Sequence, residues 1–167
     1  MTKVQTVFFF GDNFGISYRE FDNENGAFIF PTTTPVQFDP EAMRKTLDRL
    51  LSYKLQAVYL THFGRVTNVE KLGRDLRNCL DQLVKMALEL KNRGEANQKQ
   101  LASGVQKILK DGLQIHNCQL SEKCRDELLA HDYLLNAQWS VFGLIGWNDY
   151  SVLMSRLHYY FFDRIIG

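Results

Sequence analysis

Hydrophobic positions along the chain change period once, near residue 64. Before it the apolar runs are short and strand-like. Thr6-Val7-Phe8-Phe9-Phe10 stops at Gly11-Asp12. A short apolar run bounded by turn residues reads as a buried strand, and a strand without a polar face expects cover on both sides. The first strand is placed at residues 4–10. Residues 16–18 and 27–30 read as short strands around a charged stretch, with Asn25-Gly26 as a hairpin signal. Asp39-Pro40-Glu41 opens a helix, because the carboxylate can accept orphan amides and Pro wastes no donor at the first position. Met43, Leu47, Leu50 and Leu51 fall on one face of it, and it should end near Lys54. Ala57-Val58-Tyr59-Leu60-Thr61 is the second strand and ends at His62-Phe63-Gly64.

After Gly64 the period becomes helical. Thr67-x-x-Glu70 reads as a capping box. Val69, Leu72, Leu76, Cys79, Leu83, Met86 and Leu90 recur at alternating three and four, a heptad seam that wants a partner helix. Gly94 should stop it. Residues 98–110 carry Leu101, Val105, Ile108 and Leu109 on one face, and Gly112 should end that helix. Ser121 can cap a third helix through Leu128, Leu129, Tyr133, Leu134 and Ala137. Residues 151–166 read as a last, aromatic-rich helix. Residues 67–166 are therefore expected to be almost entirely helical.

Composition narrows the class. A chain of 167 residues is of one-domain length, and 45% hydrophobic with 23% charged residues is ordinary for a globular protein. A net charge of +1 supplies no basic field, so nucleic acid is not expected as a partner. Cys79, Cys118 and Cys124 lack C-x-x-C spacing and read as structural thiols of a reducing compartment. With neither a secretory leader pattern nor an uninterrupted apolar stretch of membrane-spanning length, the expected location is cytoplasmic and no membrane partner is expected.

The candidate chemistry lies at the two strand ends. Asp12 and His62 each follow a short apolar strand, and carboxylate oxygen and imidazole nitrogen both suit zinc or iron. Gly11-Asp12-Asn13-Phe14-Gly15, then residues 28–40 with Pro31-Thr32-Thr33-Thr34-Pro35, then Tyr59-Leu60-Thr61-His62-Phe63-Gly64 resemble the second half of a metallo-β-lactamase-fold hydrolase of bacterial type. The resemblance covers residues 6 to about 66, with a weaker echo at Asp132-x-x-Leu135-Asn136-Ala137-Gln138. It implies that Asp12 bridges two divalent metals and that His62 completes the second metal's shell, with zinc expected and iron or manganese as alternatives. The family's H-x-H-x-D-H motif and one further histidine would precede the Gly-Asp strand, and the chain contains neither. It thus resembles half of an enzyme, with metal ligands and no catalytic residue of its own, and is expected to be inactive in isolation.

Other constellations are weaker. Glu20, Asp22 and Glu24 form an acidic cluster that reads first as a solvated hairpin tip. His116, Cys118 and Cys124 lack a fourth ligand and regular metal spacing. His131-Asp132 could be a supporting pair for a metal ligand, and Asn136 and Gln138 could order loops, though surface and capping roles compete. The expected architecture is α/β: a metallo-β-lactamase-like half sheet over residues 1–66, followed by an all-helical extension over residues 67–167. The expected function is part of a metal-dependent hydrolase, acting on a small-molecule substrate once a complementary amino-terminal half completes the site. The alternative is a non-enzymatic interaction module that forms a homo-oligomer through the heptad seam or strand edges.

Overall fold

A computed structural model describes residues 7–10, 12–31, 39–61, 63–94 and 98–130; side chains of residues 7–10, 12, 98 and 130 lie outside that description. The fold is mixed α/β. Strands β1 (Val7–Phe10), β2 (Ala57–Leu60) and β3 (Gly64–Thr67) form one sheet in that order. β1 runs parallel to β2, with Val7 opposite Ala57 and Phe10 opposite Leu60. β3 returns antiparallel, with Ala57 opposite Thr67. Four helices follow the pattern of apolar positions: α1 (Pro40–Ser52), α2 (Val69–Asn92), α3 (Gln98–Ile115) and α4 (Glu122–Ala130). No helix among the described residues is long and apolar enough to cross a membrane.

α1 begins as its sequence dictates. The Asp39 carboxylate accepts from the Glu41 and Ala42 amides at 2.9 and 3.0 Å, and Pro40 occupies the first helical position. Ser121 likewise caps α4, accepting the Cys124 amide at 3.3 Å. Gly94 ends α2 with φ +69°. The expected capping box at α2 does not form. Thr67 is held in β3 opposite Ala57, Asn68 adopts a left-handed φ of 55°, and the helix starts at Val69 with no side-chain cap. Pairing with β2 outcompetes the local capping signal. β3 itself was absent from the sequence expectation, because Gly64-Arg65-Val66-Thr67 is too short to show a period. Nor does Gly112 stop α3, which runs on to Ile115. A Cβ at that glycine would come within 3.2 Å of the Phe28 ring, so the residue serves close packing rather than termination.

The stretch between β1 and α1 is an excursion, not a full hairpin. Ile16 and Phe30 exchange backbone hydrogen bonds at 2.9 and 3.1 Å, and Asn23 bridges Gly26 across a tight turn. The two expected strands, residues 16–18 and 27–30, reduce to that single Ile16–Phe30 bridge, with a 3₁₀ turn at Arg19–Phe21 between them. Phe14 and Ile16 turn inward here, 0% and 3% exposed.

Two buried clusters share α2. Val69, Leu72 and Leu76 pack with Leu47, Leu50, Val58, Val66 and Phe14 between the sheet and α1. Leu83 and Ala87 pack with Leu101, Val105, Leu109, Leu113, Phe21 and Phe30 between α3 and the excursion. The heptad seam expected to seek a second chain is therefore covered by this chain's own α1 and α3. Its buried stripe also differs from the expected one: Leu80 and Ala87 are fully buried, while Cys79, Met86 and Leu90 are only partly so. Packing crosses the divide at residues 66 and 67, and beyond Asn68 the described elements are all helical.

Two substitutions test these constraints. A Cβ at Gly15 would lie 2.6 Å from the Phe30 carbonyl oxygen, and Gly15 has φ +80°. Gly94 has φ +69° but open space around it. Gly94→Ala should cost about 1–2 kcal/mol for the left-handed conformation alone, and Gly15→Ala clearly more, as read by denaturant unfolding. Leu76→Ala, at a side chain 0% exposed between α1, α2 and the sheet, should cost about 2–5 kcal/mol in the same assay.

Candidate functional site

The parallel register determines what the sheet can present at one end. Phe10 and Leu60 are paired, so both strands finish at the same end of the sheet. Asp12 opens a 3₁₀ turn, Asp12–Phe14, directly after β1. Phe14, fully buried, and the Ile16–Phe30 bridge anchor that turn to the core. In the sequence His62 stands two positions beyond Leu60. Its own placement, the Asp12 side chain and the threonines at 32–34 lie outside the described residues, as do His131, Asp132, Asn136 and Gln138. A carboxylate and an imidazole could hold part of a metal shell, but two donors cannot close a four-coordinate site.

The other candidates resolve differently. Asp22 of the acidic cluster pairs with Arg19 at 2.9 Å, while Glu20 and Glu24 are exposed. Among the described residues no group of three His, Cys, Asp or Glu side chains is arranged to hold a metal ion. Cys118 is partly buried and Cys124 exposed, and all three cysteines are free. Burial pushes the Cys79 thiol up to about 12, so it is protonated and not nucleophilic at neutral pH.

His116 is a structural pivot. It is 8% exposed at the end of α3, with its ring 5.5 Å from that of Phe28. Its backbone carbonyl accepts from Asn23 Nδ2 at 2.7 Å and Asn25 Nδ2 at 3.2 Å, tying the excursion to α3. The Phe21 and Gly26 carbonyls lie near enough to favour the protonated ring, yet Nε2 has no hydrogen-bond partner. Burial first, then the Lys71 ammonium, lowers its pKa.

A cleft of about 420 Å³ opens beside His116, between α2, α3 and the excursion. Phe28, Ile29 and Ile108 line it with Lys71, Asp75, Asn78 and Gln82. A smaller, more polar hollow of about 210 Å³ adjoins Arg19, Arg65, Thr67 and Asn68. Sequence reasoning missed both. The available signal was the polar stripe of Lys71, Asp75, Asn78 and Gln82 on α2 at three-to-four spacing, flanking the buried one.

No family model, curated protein or solved structure matches the chain.

The depressed His116 pKa predicts an acid-sensitive fold. The unfolded chain takes up the proton near the ordinary value of 6.5, the folded chain only at lower pH. Stability from this residue is therefore full above about pH 6.5 and is lost as pH falls through it. Unfolding free energies between pH 7.5 and 5 should decline less steeply in His116→Gln than in the parent chain; equal slopes would show that another group governs the decline.

Proposed function

We propose that the chain supplies one half of a dinuclear metal site in a hydrolase of the metallo-β-lactamase superfamily. Asp12 serves as the bridging carboxylate and His62 as the last imidazole ligand. The observation that supports this reading is the parallel register, with Phe10 opposite Leu60, by which the strands that precede both residues finish at one end of the sheet. Parallel strands commonly carry chemistry just beyond their carboxyl ends. When bound, paired divalent metals, zinc foremost, would activate water for attack on an ester, thioester, amide or phosphoester of a small-molecule substrate. This chain's own contribution is to hold a carboxylate and an imidazole, with the Asp12 loop fixed by the buried Phe14 and by the Ile16 amide on the Phe30 carbonyl at 2.9 Å.

The remaining ligands come from a complementary amino-terminal half. β1 is an edge strand among the described residues, and an open strand edge is a template for a further strand. We assign the docking of that half to the β1 edge, in preference to self-association through the α2 seam, which α1 and α3 already cover. Free, non-vicinal cysteines agree with a cytoplasmic setting.

The isolated chain should bind metal weakly and hydrolyse model esters or β-lactams inefficiently. In a complex that restores the site, Asp12→Ala or His62→Ala should lower metal content, measured by elemental analysis, while the circular dichroism spectrum is retained. Unchanged stoichiometry in both variants, or chelator-sensitive turnover by the isolated chain, would contradict the assignment.

A further inference from the structure

The two concavities are neighbours, and Asn25 and Lys71 line both. Their characters are opposite. The larger presents Phe28, Ile29 and Ile108, with the nearly exposed Ile115 at its rim, 87% accessible. The smaller presents Arg19, Arg65 and Lys71; Asp22 pairs with Arg19 and Asp75 with Lys71, which leaves Arg65 as the uncompensated charge among the three. Arg65 has no ion pair among the described residues, and Arg19 also donates to the Arg65 carbonyl at 2.6 Å, which holds the two side-chain origins together. We propose that the two hollows form one groove for a small amphipathic phosphomonoester: the phosphate lies among Arg19, Arg65 and Lys71, and an alkyl or aryl body lies against Phe28, Ile29 and Ile108.

Charge and shape select that chemistry. A phosphomonoester carries nearly two negative charges at neutral pH, which suits Arg65 together with a Lys71 released from Asp75, and guanidinium forks suit phosphate oxygens. A cleft of about 420 Å³ lies within the usual size range for small-molecule sites, which combine apolar walls with a few polar groups. The half-exposed Lys71–Asp75 pair, 2.8 Å apart, still faces solvent, and pairs of that kind contribute about 1 kcal/mol or less, so Lys71 can turn toward the phosphate at modest cost. The buried His116 ring lines the larger hollow and so reports on its occupant. None of these residues is Asp12 or His62, so the inference stands apart from the metal reading.

The test uses the full chain and octyl phosphate below its micellar concentration, followed by calorimetry and by nuclear magnetic resonance of the His116 ring. Octyl phosphate should bind at least about tenfold more tightly than either inorganic phosphate or octanol, since it engages both hollows. Arg65→Glu should weaken it by about tenfold or more, and Arg65→Lys far less. Ile115→Ser should weaken it by about threefold through lost apolar contact. An anion beside Lys71 should raise the His116 pKa in the complex. Octyl phosphate binding no better than its two fragments would overturn the proposal. So would unchanged affinity in Arg65→Glu that melts like the parent. Sedimentation with phosphatidic acid vesicles in preference to octyl phosphate binding would place the headgroup on a membrane and also overturn it.

Discussion

The structure depends on one apolar stripe along α2. A 24-residue helix is about 36 Å long, enough to serve two cores in succession. Its first turns close the sheet and α1 through Val69, Leu72 and Leu76, and its later turns close α3 through Leu83 and Ala87. Glycines set how closely the neighbours approach. A Cβ at Gly73 would lie 2.6 Å from Leu51 of α1, and one at Gly104 of α3 would lie 2.6 Å from Met86 of α2. Ion pairs mark the α1–α2 contact reciprocally: Arg44 of α1 binds Asp81 at 2.6 Å, and Arg77 of α2 binds Asp48. Such exposed pairs contribute about 1 kcal/mol or less each, so burial of the stripe decides the packing and the charges fix its alignment.

The excursion between β1 and α1 joins this frame to both candidate sites. Its aromatic side chains pack with one another, Tyr18 against Phe21 at 5.5 Å and Phe28 against Phe30 at 6.0 Å, and Tyr18 also meets Phe63 beyond β2 at 4.9 Å. One end of the excursion carries Asp12 and the buried Phe14. The other end reaches α3, where Asn23 and Asn25 hold the His116 carbonyl. The groove beside His116 follows from that connection. It is walled by α2 on its polar flank and by α3 where Gly112 lets Phe28 approach.

The metal reading and the groove rest on different kinds of observation. The reading of Asp12 and His62 rests on motif resemblance and on the parallel register of β1 and β2. For the groove, no motif exists, and side chains from four separate segments supply charge and apolar surface. A site assembled in that way leaves little trace in local spacing.

What the sequence determined by itself was local. Asp39-Pro40 and Ser121 start helices because their side chains satisfy nearby amides, whatever the rest of the chain does. Gly94 ends α2, and the apolar positions of α1 and α3 predict their buried faces. The turn chemistry after β1 and β2 drew attention to Asp12 and His62. Tertiary structure decided what competes over distance. Thr67 could cap a helix or pair with Ala57, and the sheet won because pairing also buries Val66. Gly112 could end a helix or admit Phe28, and close packing won. The α2 seam could face another chain or this one; periodicity shows that a face is apolar, and only the folded chain shows what covers it. The same holds for His116: the asparagines that hold its carbonyl lie some ninety positions away, and its pKa is lowered by burial and by Lys71 of another helix.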